Sequence, residues 1–212
     1  LIWVADNMYN SASGLYHHAW SSSASKGNEK YWTRGTGWYA MTLVDVISLM
    51  PQGAQRNDLI SRLPRLFDGM LPYQDAATGM WYNMTQYNRS LTSENYFTRS
   101  YTMDNSTFSN VETHANDLET SGTAMMAYAL LKAYNSGWVG KKYADAGIKA
   151  FNGTVDTYLW GREGSYRIGG SYKAGWAQET NELYLYSTYE CDEAKGTAPL
   201  IMAAVMAQDA AI

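Results

Sequence analysis

Arg34 stands between two indoles in the string Tyr31-Trp32-Thr33-Arg34-Gly35-Thr36-Gly37-Trp38-Tyr39-Ala40-Met41. A guanidinium is a planar fork of donors that matches a carboxylate. Trp32 and Trp38 offer flat faces on which a sugar ring can rest. Gly35 and Gly37 permit a sharp turn and a close backbone approach to a ligand. These types in this order suit the grip of an acidic sugar at the N-terminal mouth of a helix. Upstream, Ser13-Gly14-Leu15-Tyr16-His17-His18-Ala19-Trp20 adds two imidazoles. His18 suits a hydrogen bond to substrate or to a catalytic water, with His17 secondary. In an extended segment neighbouring side chains point to opposite faces, so only one of the two can face a common site. Each residue has a plainer reading: Arg34 stacked on an indole, the tryptophans packed in a core, His18 satisfied in a loop.

These residues need elements to hold them. Asn10 to His18 repeats as Asp75 to Asn83, each a turn closed by Gly14 or Gly79 and followed by a short aromatic extended piece. A weaker echo is Glu163-Gly164-Ser165-Tyr166. Three helix entrances also repeat: Gly35-Thr36-Gly37-Trp38, Gly122-Thr123-Ala124-Met125 and Gly196-Thr197-Ala198-Pro199, with Thr as N-cap and Pro199 in a first turn. The runs that follow, Trp38–Met50, Ala124–Tyr134 and Leu200–Ala207, are apolar nearly all round and predict inner helices buried on most sides. Between them, Leu59, Leu63, Leu66, Phe67 and Met70, then Tyr143, Gly147, Phe151, Val155 and Tyr158, recur at helical spacing and predict outer helices with one apolar stripe. Pro64 predicts a kink or break. Leu1–Tyr9 reads as the end of another outer helix. The chain is thus about three helical hairpins in one domain over residues 1–212, the repetition of a solenoid or toroid.

The Gly-Leu-Tyr-His-His-Ala-Trp and Trp-Thr-Arg-Gly-Thr-Gly-Trp strings together resemble glycoside hydrolase families 105 and 88, the unsaturated rhamnogalacturonyl and glucuronyl hydrolases. The resemblance implies an all-α fold in which helical hairpins form an (α/α)6 toroid, with this chain as its C-terminal half. It implies an unsaturated acidic oligosaccharide made from pectin by a lyase as substrate. An Asp would protonate the C4=C5 enol ether at C4, water would add at C5, and the hemiketal would open to release the next sugar. It marks His18, Trp32, Arg34 and Trp38 as substrate-binding residues, with Ala19 where the family has Gly. The catalytic Asp lies upstream of the His segment in the family, where Asp6 is the sole carboxylate of this chain and reads as a surface residue. The general acid is therefore expected outside this chain, and the missing N-terminal half is an expected partner. Glu119 reads as a helix-start acid that could also touch substrate, while Trp81 and Tyr82 stand at the repeat positions of Tyr16 and His17.

Composition bounds the alternatives. Of 212 residues 46% are hydrophobic and only 17% charged, which excludes a disordered chain. A net charge of −4 argues against a nucleic-acid partner. No apolar run approaches a membrane span. One cysteine, Cys191, excludes an internal disulfide. No Cys/His cluster, phosphate loop or dinucleotide fingerprint appears, and His114 has no partner at ligand spacing, so no metal and no cofactor is expected. Sequons at Asn83, Asn88, Asn105 and Asn152 favour a secreted eukaryotic glycoprotein, such as a fungal one. The absence of an initial Met points to a processed or partial N-terminus. Two other functions stay open: a polysaccharide lyase using Tyr or His as base, and a sugar-binding fragment without turnover.

Overall fold

Three apolar helices lie side by side and carry the core. They are α2 (Thr33–Leu49), α4 (Thr120–Asn135) and α6 (Ala194–Asp209), with α4 between the other two. Around them run α1 (Ile2–Asn7), α3 (Ala54–Met70) and α5 (Lys141–Tyr158). The computed structural model describes residues 1–93, 98–103, 106–111, 114–162 and 164–210. Short antiparallel pairs join the helices: β1 (Trp20–Ser21) with β2 (Lys26–Gly27), β3 (Thr92–Ser93) with β6 (His114–Ala115), and β4 (Thr98–Met103) with β5 (Ser106–Val111). Further on, β7 (Leu159–Arg162) pairs with β8 (Ser165–Ile168), and β9 (Ser171–Tyr172) with β10 (Tyr189–Glu190). The fold is that of helical hairpins with short strands in their connections. No helix among the described residues is long and apolar enough to cross a membrane.

The composition of α4 explains its place. Met125, Met126, Ala127, Ala129, Leu130 and Leu131 are buried on every side, as a helix ringed by other elements requires. Each large side chain so buried contributes about 1.5–3 kcal/mol. On α3 the expected stripe Leu59, Leu63, Leu66, Phe67 and Met70 is buried, and the helix runs unbroken through Pro64. On α5, Tyr143 and Gly147 are buried, whereas Phe151, Val155 and Tyr158 are only half-buried.

The helix entrances differ from expectation. The helices begin earlier than the Gly-Thr strings, and Thr36, Thr123 and Thr197 lie inside them rather than capping them. Glu119 caps α4 instead, its Oε2 accepting the Gly122 N–H at 2.6 Å. Thr123 Oγ1 accepts the Trp81 N–H, and Thr33 Oγ1 donates to the Tyr82 carbonyl at 2.6 Å, so these hydroxyls tie helices to neighbouring extended segments. The glycines permit close helix packing: a Cβ on Gly37 would stand 2.8 Å from Met125, and one on Gly122 2.7 Å from the Arg34 nitrogen. Gly35 and Gly37 therefore serve α2 and its contacts, and not a sharp turn.

The repeated turns match closely. Asn10 Oδ1 accepts the Ala12 and Ser13 N–H groups, Gly14 N–H donates to the Asn10 carbonyl, and Gly14 holds φ +75°. In the second copy Asp75 accepts the Thr78 N–H, Gly79 N–H donates to the Asp75 carbonyl, and Gly79 holds φ +79°. That left-handed backbone suits glycine. The first turn seats on Gly69 of α3 and the second on Gly153 of α5. Of the sequons, Asn83 is buried, its amide donating to the Tyr184 carbonyl and its Oδ1 accepting Trp32 Nε1–H, so it cannot carry a glycan. Asn88 and Asn152 are exposed, and Asn105 lies outside the described residues.

Candidate active site

The extended segments after the two turns meet the N-terminal ends of α2 and α4. Thr33 N–H donates to the Asn83 carbonyl, Glu119 N–H to Trp81 and Thr120 N–H to Gly170. This lattice fixes the helix starts against the aromatic loops, and it places His18, Trp32 and Arg34 together.

Arg34 is buried, and both of its terminal nitrogens are engaged. One terminal nitrogen donates to the Tyr172 carbonyl at 2.6 Å and Ser121 Oγ at 3.0 Å, and lies 3.4 Å from Glu119 Oε1; the other donates to the Ala174 carbonyl. Its guanidinium sits 4.4 Å over the Trp32 ring. Burial lowers its pKa while Glu119 pushes back. Glu119 also accepts Ser121 Oγ–H and the Tyr172 N–H, so its carboxylate is spent on cap, arginine and loop. The fork expected to meet a uronate carboxylate is thus turned inward, where it anchors the 172–174 loop to the starts of α2 and α4.

Trp32 is buried between Arg34 and His18, whose ring centroid lies 4.6 Å away, so neither indole face is an open platform. Trp38 is 49% exposed and apart from this cluster. Trp81 is wholly buried with Nε1–H on the Met70 carbonyl, which makes it core and not mouth. Tyr82 is half-buried, bridged to Leu118. Asp6 is a surface residue ion-paired to Arg62.

His18 is the group best placed for chemistry. Its Nδ1 lies 2.6 Å from Tyr184 Oη. That oxygen receives the Asn28 amide at 3.4 Å and the Gln178 N–H, so its own proton goes to Nδ1. The network assigns the Nε2–H tautomer to His18. Burial, with Arg34 nearby, lowers its pKa to about 4, so the ring is neutral at physiological pH. His17 stacks on Tyr31, and its Nδ1 accepts the Glu29 N–H.

Contrary to the expectation that only one of them can face a common site, both histidines border one cleft of about 320 Å³. Its other walls are Trp3, Tyr16, Trp20, Gly35 and Tyr39. Trp3 and Trp20 meet edge to face at 5.3 Å, and Trp3 is 51% exposed. Among the described residues no carboxylate lines it, and none form a group of three His, Cys, Asp or Glu able to hold a metal ion. Trp20 shares a string with His18 and could have been read from it. Tyr39 closes the string that carries Arg34 and could likewise have been read from it, whereas Trp3 and Tyr184 come from other segments with no local signal.

The sequence model of Glycosyl Hydrolase Family 88 matches residues 1–100 and 105–209. A "24.9 kDa protein in picA locus" of Rhizobium radiobacter is 29% identical over 213 residues, 91% of this chain and 81% of that protein. A family 105 glycoside hydrolase from C. acetobutylicum ATCC 824 superposes with a TM-score of 0.78 at 23% identity, over 98% of this chain and 56% of that one. The unsaturated glucuronyl hydrolase of Bacillus sp. GL1, described as responsible for glycosaminoglycan degradation, gives 0.52 at 13% identity, over 80% and 42%. The chain therefore spans about half the length of these solved structures, and its helical hairpins form about half of their α/α toroid. With the family model matching nearly the whole of this sequence, the chain belongs to Glycosyl Hydrolase Family 88.

Proposed function

We propose that this chain is the sugar-gripping half of a hydrolase that removes an unsaturated uronyl residue from acidic oligosaccharides made by a lyase, pectic rhamnogalacturonan fragments first among them. The observation that carries the reading is the aromatic cleft at the helix starts, with a neutral His18 held by Tyr184, in a chain of this family. Stacking on Trp3 and Trp20 would hold a sugar ring. His18 Nε2–H would donate to a substrate oxygen or orient the attacking water. A proton goes to C4, water adds at C5, and the hemiketal opens with release of the next sugar. The acid is supplied from outside this chain in this reading, which is supported by a cleft with no carboxylate in its walls and by a Glu119 that is spent on other partners. Arg34 acts as a positioning residue that holds the 172–174 loop over Trp32.

The test is ultraviolet absorbance of the unsaturated uronate in lyase-digested rhamnogalacturonan and, separately, in lyase-digested glycosaminoglycan. Loss of absorbance in the first supports the reading, and loss only in the second moves the substrate class. A second reading rests on His18 and Tyr184, since a neutral imidazole beside a phenol is a base–acid pair that a polysaccharide lyase would use. A rise in absorbance on intact polymer would select it.

A further inference from the structure

The hydrogen bonds behind His18 have their direction set by backbone, and that direction decides what the imidazole offers to the cleft. Asn28 follows β2, and its Oδ1 accepts the Ala19 N–H at 3.2 Å and the Lys30 N–H at 3.3 Å. A backbone N–H only donates, so the amide cannot be turned over, and Nδ2 is the end that faces Tyr184 Oη at 3.4 Å. An amide nitrogen only donates in turn. Tyr184 Oη therefore accepts from Asn28, with the Gln178 N–H a further donor to it. The one proton of the phenol is left for His18 Nδ1, 2.6 Å away. A neutral imidazole carries a single N–H, so that of His18 is on Nε2.

The loop that brings Tyr184 is held in the same manner. The residue lies between β9 and β10, 166 positions from His18. Its carbonyl accepts Asn83 Nδ2–H at 3.1 Å, and Asn83 Oδ1 accepts Trp32 Nε1–H at 2.9 Å, so a second amide of fixed sense ties the loop to Trp32. Tyr184 is 2% exposed, which keeps it out of reach of a substrate. His18 Nε2, by contrast, has no protein partner among the described residues and is not sealed from solvent, and its ring borders the cleft.

We propose that Asn28 and Tyr184 are positioning residues that hold His18 as a hydrogen-bond donor, so that the cleft meets its substrate with Nε2–H and takes up an acceptor oxygen of the sugar. The part this plays in turnover rests on the hydrolase reading above. Within that reading His18 grips a carboxylate or hydroxyl oxygen of the unsaturated uronate and takes no proton from the attacking water. Proton transfer then belongs wholly to the acid outside this chain, which gives a proton to C4 and takes one from the water that adds at C5. A fixed donor at this place does not suit the lyase reading, which needs a base.

The first experiment reads the ring directly. Histidine labelled with nitrogen-15 in the assembled protein is followed by nuclear magnetic resonance at neutral pH, where His18 is uncharged, and its signals are assigned by their loss in His18→Gln. A protonated Nε2 and a bare Nδ1 are expected. Asn28→Asp removes the amide donor and puts a carboxylate acceptor in its place. The phenol then turns its proton to the carboxylate and the relay reverses, so that Nδ1 gains the proton and Nε2 loses it. His17, whose Nδ1 accepts the Glu29 N–H, keeps its tautomer throughout and serves as the control. A proton on Nδ1 in the wild type overturns the proposal, whether or not any variant folds. So does an unchanged His18 tautomer in Asn28→Asp with the His17 signals in place. The second experiment is kinetic. Tyr184→Phe is expected to raise KM for lyase-made rhamnogalacturonan disaccharide roughly fivefold with kcat kept, as the loss of one uniform grip requires. A KM that does not move, whatever kcat does, overturns the grip. Absence of turnover on every unsaturated oligosaccharide would sink the hydrolase reading alone, because the ring spectrum tests the relay without it.

Discussion

Arg34 and Glu119 are both buried, and each completes the other: the arginine neutralises the cap of α4, and the cap holds the arginine on the 172–174 loop. Removing one partner leaves the other charge unpaired in a dry site, which costs about 3–5 kcal/mol. Arg34→Ala is therefore expected to lower the unfolding midpoint strongly in thermal melts, and a melt within a degree or two of wild type would show that the pair carries no stability. His18 makes a pH prediction. Its pKa falls from the ordinary value of about 6.5 to about 4 on folding. The unfolded chain therefore binds the proton first as pH falls. His18's contribution is intact above pH ~6.5, is lost between ~6.5 and ~4, and stays lost below. The loss is up to about 3 kcal/mol, less what solvent screening removes. His18→Gln should flatten that part of the profile in denaturant titrations at each pH; an unchanged profile would place the titration elsewhere. The sequence made His18, Trp32 and Arg34 legible as a cluster because they lie in two compact strings. It did not show which way Arg34 faces, since its acceptors, the Tyr172 and Ala174 carbonyls, belong to backbone far along the chain.

At the scale of elements, glycine decides how closely helices and turns approach. A Cβ on Gly69 or Gly153 would run into the carbonyl of Gly14 or Thr78, which is backbone and cannot swing aside. Ala gains up to about 1 kcal/mol in helix propensity, but overpacking costs about 1–3 kcal/mol. Gly69→Ala and Gly153→Ala should therefore destabilise by a net ~1–2 kcal/mol in urea unfolding, whereas Gly140→Ala, with open space around its Cβ, should be near neutral. Equal effects at all three positions would contradict the account. The inner and outer helices were readable from periodicity: α4 lacks a polar face and α3 has one clean stripe. The starts were not, because Thr36, Thr123 and Thr197 look like caps locally. The true starts are fixed by tertiary bonds such as Thr120 N–H to Gly170. The half-buried positions on α5, Phe151 and Val155, fit the expected stripe in sequence yet face an open groove.

At the scale of the molecule, the arc has the candidate cleft near one end and apolar edges at both. Its repeats told the hairpin order. They left unsaid what closes the ring, because an edge helix and a central helix share one apolar signature. In the proposed function the complete site hydrates an unsaturated uronyl group, with His18 and the aromatic walls holding it. The most direct measurement is nuclear magnetic resonance of lyase-made rhamnogalacturonan disaccharide turned over in heavy water by the assembled protein. The account predicts that the vinyl signal disappears and that one deuterium appears at C4 of the released keto acid. Loss of substrate without deuterium at C4, or a new vinyl signal from intact polymer, would contradict it.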